Sequence, residues 1–112
     1  MNRTVDTILE GLEKAVSERQ MLGPATWLEA AVDLVALLGN EHSKLFLLQQ
    51  QCNREKARLI ADGMTAASSK ATVEASDLYR EMQEQKAKIE RVVEMGRLAK
   101  IMARMSTDEM HV

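Results

Sequence analysis

Three cationic residues recur at helical spacing near the end of the chain. Arg97, Lys100 and Arg104 stand at positions i, i+3 and i+7, which places them on one side of a helix. Such a strip can contact the phosphate backbone of a nucleic acid, and Arg54 and Arg58 on the preceding helix would add to it. The alternative interpretation is structural, because the dipole of a helix favours cations near its C-terminus. These five residues are the candidate nucleic-acid-binding set.

No combination of residues in the sequence predicts catalysis. A nucleophile beside a base in a recognisable motif does not occur, and neither does a glycine-rich phosphate loop. His42 and Cys52 are ten residues apart, about 15 Å along a helix and on different faces, so they do not share a metal. We therefore predict a non-enzymatic protein without a cofactor, a metal site or a small-molecule substrate.

The charge of the chain is uneven along its length. Residues 1–53 hold four basic and seven acidic side chains, whereas residues 54–105 hold eleven basic and eight acidic ones. A nucleic-acid-binding domain usually has a larger basic excess. Only Tyr79 offers a ring for base stacking in the basic half. The sequence thus permits single-stranded DNA as a partner without requiring it.

The composition indicates a single helical domain over residues 1–112. Aromatic residues make up only 3%, so the core must be built from aliphatic side chains and methionine. No run of 18 apolar residues predicts a membrane span. Cys52 is the sole cysteine, and we expect it to be a small core residue in a reducing compartment. The expected location is the cytoplasm of a bacterium or of a phage-infected cell.

The first helix is predicted over 5–20 and the second over 26–61. Gly23 and Pro24 stop the first helix, and a capping box formed by Thr26 and Glu29 begins the second. Residues 30–38 are apolar nearly all round, which predicts burial on more than one side. Whether Gly39 and Asn40 break the second helix stays open. The stripe that predicts the first helix is Val5, Ile8, Leu9, Leu12 and Val16.

A loop is predicted over 62–72 from its small polar residues, and a last helix over 72–105. This helix would span about 50 Å. Its apolar seam alternates in steps of four and three, which is typical of a coiled-coil-like contact. We predict that the seam is an oligomer interface, because a small chain cannot cover helices of this length. The seam residues are Leu78, Met82, Gln85, Ile89, Val92, Gly96 and Ala99.

The predicted fold is therefore all-α. Two long helices form a helical hairpin, a short N-terminal helix joins them, and several chains assemble into an oligomeric coiled-coil-like bundle. Residues 106–112 are predicted to be a flexible tail. A further protein partner is expected beside the homo-oligomer.

Some residues of the apolar stripes have two interpretations. Asp33 and Gln85 are polar groups in apolar surroundings, where they either fix the helix register through hydrogen bonds or contact a partner. The methionines near the end of the chain either fill the core or form an adaptable binding groove. These methionines are Met82, Met95, Met102, Met105 and Met110.

The order of motifs from residue 27 to about residue 105 resembles a group of small helical phage proteins that includes the UvsY-type recombination mediators. A Trp-Leu pair opens a long helix, a Lys-Ala-Arg-Leu stretch closes it, and a Ser-Asp-x-Tyr segment begins another helix after a short loop. In this chain these are Trp27-Leu28, Lys56-Ala57-Arg58-Leu59, and Ser76-Asp77 with Tyr79. The resemblance implies a ring-forming protein that helps to load a recombinase onto single-stranded DNA.

Three functions follow as hypotheses. The first is an oligomeric phage-type accessory protein of DNA metabolism that binds single-stranded DNA or a recombinase. The second is a protein-binding adaptor or an inhibitor of a host factor, of the anti-defence type. The third is a component of virion assembly.

Overall fold

The computed structural model of the protein describes residues 4–18 and 22–110, with side chains described as far as residue 105. Within these residues there are four helices and no strand, which confirms the predicted all-α fold. The helices are α1 (Val5–Ser17), α2 (Pro24–Ala61), α3 (Ala66–Glu74) and α4 (Asp77–Met110). They form two compact units: unit 1 comprises Met1–Gly39 and Ile89–Val112, and unit 2 comprises Asn40–Lys88. Helices α2 and α4 contribute to both units.

Helix α2 begins two residues earlier than predicted. Pro24 is its first residue, and the amides of Thr26 and Trp27 donate to the carbonyl oxygen of Gly23 at 3.1 and 3.2 Å. Proline suits this position because its missing N–H would have no partner there and its φ is already helical. Thr26 therefore lies inside the first turn, and the predicted capping box with Glu29 is wrong.

The same helix runs through Gly39 and Asn40 without a break. It ends at Ala61, as predicted, and Gly63 follows with a φ of +100°, a backbone conformation that favours glycine. The amide of Gly63 donates to the Ile60 oxygen, and the amide of Met64 donates to the Leu59 oxygen, at 3.0 and 3.1 Å. This pair of hydrogen bonds is a Schellman motif, which satisfies carbonyl groups at the end of the helix.

The predicted loop over 62–72 is wrong, because α3 occupies most of it. The Thr65 hydroxyl accepts a hydrogen bond from the Ser68 amide at 3.1 Å and caps the helix. The hydroxyls of Ser69 and Thr72 donate to carbonyl oxygens one turn earlier, at 2.9 and 2.8 Å. The small polar residues are thus satisfied within a helix, and alanines supply its propensity.

Helix α4 begins at Asp77 rather than at residue 72. The Ser76 hydroxyl accepts a hydrogen bond from the Tyr79 amide at 3.2 Å, so serine caps the new helix. The Ser-Asp-x-Tyr segment therefore does begin a long helix. At the other end α4 continues to Met110, five residues beyond the predicted end, and residues 106–110 contain neither proline nor glycine. Residues 111 and 112 of the predicted tail lie outside the described residues.

Helix α1 ends at Ser17, earlier than the predicted residue 20, and residues 19–21 lie outside the described residues. Ala15 faces the core, whereas Val16, expected in the stripe, is exposed. A salt bridge of 2.6 Å joins Arg91 of α4 to Glu13 of α1.

The core of unit 1 is formed by α1, the first part of α2 and the last part of α4. Trp27 and Leu34 are its most deeply buried large side chains on α2, and Leu9 is the equivalent on α1. Val92, Ala99 and Ala103 come from α4. Short side chains on α4 allow the helices to approach closely around the single tryptophan.

The core of unit 2 is smaller. Cys52, Val73 and Met82 are its buried members, one each from α2, α3 and α4. Cys52 is a core residue, as predicted, and burial raises the pKa of its thiol. A protonated, enclosed thiol is a poor nucleophile and a poor metal ligand.

Candidate functional site

The three cations of the predicted α4 strip belong to unit 1. Arg97, Lys100 and Arg104 are all exposed, and their spacing puts them along one edge of α4. Arg97 forms a 3.5 Å ion pair with Glu94 one turn earlier, and both side chains are mostly in solvent. Such a pair contributes little to stability, so Arg97 can exchange this contact for another at small cost.

Arg54 and Arg58 belong to unit 2, and Arg58 already pairs with two carboxylates. Its guanidinium binds both carboxylate oxygens of Glu55 and lies 3.3 Å from a carboxylate oxygen of Asp62. The hydrogen bonds that Arg58 donates to Glu55 raise the pKa of Arg58 and lower the pKa of Glu55. Arg54 and Arg58 are both exposed, but Arg58 is held in ion pairs along its own helix.

An open apolar groove lies beside the cations of unit 1. It has a volume of about 300 Å³ between α2 and α4. Leu34 and Val92 are buried at its base, and Arg97 and Lys100 line one side. Gly96 leaves it open on α4, because a Cβ at that position would meet no atom within 4 Å.

A strip of exposed apolar side chains runs along α2 next to this groove. Leu28, Val32 and Val35 are 53%, 61% and 58% exposed, and Val35 also lines the groove. Their spacing of four and three residues keeps them on one face of the helix. We call these three residues the α2 strip. The prediction that residues 30–38 are buried on more than one side is therefore wrong, since no helix of unit 1 covers this face.

The predicted oligomer seam of α4 is an intramolecular contact in the structure. Five of the seven seam residues are buried, and the other two, Leu78 and Gln85, are partly buried. Val92 and Ala99 belong to the core of unit 1, and Met82 belongs to that of unit 2. The four-three spacing correctly identified the contact face of α4, but the partner helices belong to the same chain. The assignment of this seam to an interface between chains stays a prediction.

Gln85, the polar residue of the seam, has the register-fixing role that was one of its two interpretations. Its amide nitrogen donates to the backbone oxygen of Glu41 at 2.8 Å and to a carboxylate oxygen of Glu41 at 2.7 Å. The same carboxylate lies 3.4 Å from Lys88 and 3.3 Å from Lys44. Glu41 is 4% exposed, so unit 2 contains a buried carboxylate that is fully partnered.

The methionines mainly fill the cores. Met82 is buried in unit 2, and Met95 and Met102 pack against the core of unit 1. Met105 is half exposed, and the side chain of Met110 lies outside those described. The core-filling interpretation therefore holds for Met82, Met95 and Met102.

Unit 2 also has a cavity of about 360 Å³ next to its core. Cys52, Val73 and Met82 line it together with polar residues that include Lys56 and Lys70. Within residues 4–18 and 22–110, no group of three histidine, cysteine or acidic side chains is placed to hold a metal ion. His42 is exposed whereas Cys52 is buried, so the two side chains lie in different environments.

Comparisons with known proteins give no further information about this surface. Comparison with protein families, with curated proteins and with solved structures finds no match for this chain. In the part of the chain that is described, no helix is long and apolar enough to cross a bilayer.

Proposed function

We propose that the protein is a non-enzymatic binding protein whose unit 1 docks a helix of another protein. The observation that carries this proposal is the α2 strip, an exposed apolar face that continues into an open groove. Soluble proteins seldom expose contiguous apolar surface without a binding role. An adaptor, or an inhibitor of a host factor, would act through such a surface.

A helix is the partner element that fits the shape of the surface. The strip extends over two turns, about 10 Å, from Leu28 to Val35. Apolar side chains at i, i+3, i+4 and i+7 of an amphipathic helix match a groove between two helices. The groove beside Gly96 offers room for the longest of them.

Replacing Val32 and Val35 together by aspartate should abolish partner binding. The two substitutions put charges where the partner would bury apolar surface, and burying an unpaired charge is costly. Both side chains are exposed, so the free energy of unfolding should change by less than about 1 kcal/mol. The measurement is affinity capture from a lysate of the source cells, followed by hydrogen-exchange footprinting of the captured complex on α2.

Ser43→Asp is the matched control, because Ser43 is exposed on the same helix but lies in unit 2. It should leave capture and footprint unchanged. Light scattering of the same variants shows whether the docked helix belongs to a second copy of the chain, which is how the predicted homo-oligomer would be detected. A protein captured equally by the wild type and the double variant would refute the proposed surface.

Single-stranded DNA is the second candidate partner, because three cations share one exposed edge of α4. This candidate accords with the resemblance to recombination mediators. Replacing Arg97, Lys100 and Arg104 by alanine should then abolish DNA binding and leave helicity unchanged. Three phosphate contacts per chain predict a salt dependence of about −2 in log–log terms, at about −0.7 per contact.

The DNA measurement is a titration of labelled oligothymidylate at several salt concentrations. Arg80→Ala is the control, since Arg80 is an exposed cation of unit 2 that pairs with Asp77 in the same turn. No wild-type binding at about 50 mM salt would remove DNA as a candidate and leave the protein partner.

A further inference from the structure

We infer that the helix docked on unit 1 carries a row of acidic side chains along one flank, which contacts Arg97, Lys100 and Arg104. This inference rests on the proposed function and specifies the chemistry of the partner. It follows from the arrangement of charge around the groove rather than from the apolar surface itself.

The cations follow the wall of the groove. Val93 lines the groove on α4, and Arg97, Lys100 and Arg104 follow it at intervals of four, three and four residues. This spacing keeps all four residues on one line along the helix, about 16 Å long. The apolar side chain of Val93 lies at one end of this line, and the three cations follow it.

Among the described side chains, few carboxylates compensate these positive charges. Arg97 has only the exposed pair with Glu94, and no carboxylate among the described side chains lies within ion-pair distance of Lys100 or Arg104. On the opposite wall the α2 strip is uncharged. The α2 wall of the groove is apolar, and the α4 wall carries Arg97 and Lys100 beside its apolar residues, with Arg104 one turn beyond the groove. A complementary helix has an apolar stripe flanked by carboxylates.

The apolar wall distinguishes this partner from a nucleic acid. A single strand needs cations for its phosphates and aromatic rings for its bases. No aromatic side chain lines the groove, and its other wall consists of valine and leucine side chains. A peptide helix uses both walls, whereas a nucleic acid uses only one.

Helix α1 of a second copy does not supply such a helix. It is an acidic helix, with Asp6, Glu10 and Glu13 exposed, but its apolar stripe is already buried in the core of unit 1. The partner we infer is a different protein with a free acidic amphipathic helix. Association of two copies through the α2 strip, which has Glu29 and Asp33 beside it, would be detected by light scattering and would overturn this assignment.

The test uses designed helical peptides of 18 residues that share one leucine stripe and differ only in the flanking row. One peptide has glutamate in that row, one has glutamine and one has lysine. Fluorescence anisotropy measures their dissociation constants for the full chain at about 50 and 300 mM salt. The glutamate peptide should bind at least tenfold more tightly than the glutamine peptide at low salt, and this ratio should shrink at high salt.

Substitutions of the three cations test whether they cause the preference for the glutamate peptide. Replacing Arg97, Lys100 and Arg104 by glutamate should reverse the order, so that the lysine peptide binds most tightly. Replacing Lys70 and Arg80, two exposed cations of unit 2, by alanine should leave the order unchanged. Circular dichroism confirms that each variant remains helical.

The outcomes separate the two proposals. Equal binding of the glutamate and glutamine peptides, lost on Val32→Asp with Val35→Asp, would overturn the acidic partner and keep the docking surface. Binding of no peptide at millimolar concentration would overturn both. Oligothymidylate could also displace the glutamate peptide and bind more tightly than it does. That result would show that the cations bind phosphate and would overturn the acidic partner.

Discussion

Replacing Trp27 by alanine is expected to lower the free energy of unfolding by about 3–5 kcal/mol, the largest effect of any single substitution considered for this chain. Trp27 is 1% exposed and lies in a core built from α1, α2 and α4. Removing its ring leaves a cavity that the small alanines of α2 and α4 cannot fill. Urea denaturation followed by circular dichroism measures the change.

Leu28→Ala is the matched control for this substitution. Leu28 is the next residue on the same helix, and more than half of its side chain is already in solvent. Its truncation should cost less than about 1 kcal/mol. Equal losses for the two variants would mean that the core of unit 1 is not organised around the tryptophan.

Replacing Glu41 by alanine is expected to cost about 1–3 kcal/mol, because the change removes the carboxylate that accepts from Gln85 in a buried setting. The contribution of Glu41 should also depend on pH. Burial acts to raise the pKa of this carboxyl group, but the hydrogen bond from Gln85 and the charges of Lys88 and Lys44 outweigh it. The pKa therefore lies below its ordinary value of 4.5.

A lowered pKa in the folded state means that the unfolded chain binds the proton more readily. The stabilisation by ionised Glu41 is complete well above pH 4.5 and is lost as the pH falls through the folded pKa. Glu41→Gln keeps the shape of the side chain but does not titrate. The difference in unfolding free energy between wild type and Glu41→Gln should thus be constant from pH 6 to 7 and shrink below pH 4.5. A difference that stays flat down to pH 3 would contradict the charged partnership.

Much of the helical pattern could be predicted from the sequence, because periodicity reports which face of a helix is covered. The seam of α4 and the length of α2 are examples. Local capping was predicted less well, since Pro24 and Thr26 both suit a helix start and only the observed hydrogen bonds decide between them. The short helix α3 was missed because serine and threonine favour loops unless their hydroxyls bond to the helix itself.

The candidate site was predicted only on its charged side. Arg97, Lys100 and Arg104 are recognisable from their spacing, and the structure leaves all three exposed. The α2 strip was predicted to be buried. The sequence shows that its residues are apolar, but it does not show whether another helix covers them. Val32 and Val35 could be assigned to the surface only once the positions of α1 and α4 relative to this part of α2 were known.

The scarcity of aromatic residues gives this protein two built-in optical probes. The chain has one tryptophan and one tyrosine; Trp27 is enclosed in unit 1, and Tyr79 packs against the small core of unit 2. Excitation at the red edge of the absorption band, where only indole absorbs, follows the melting of unit 1 without any label. Second-derivative absorbance of the phenol follows unit 2 in the same cuvette. Whether the two units melt as one cooperative block can therefore be read from the unmodified protein.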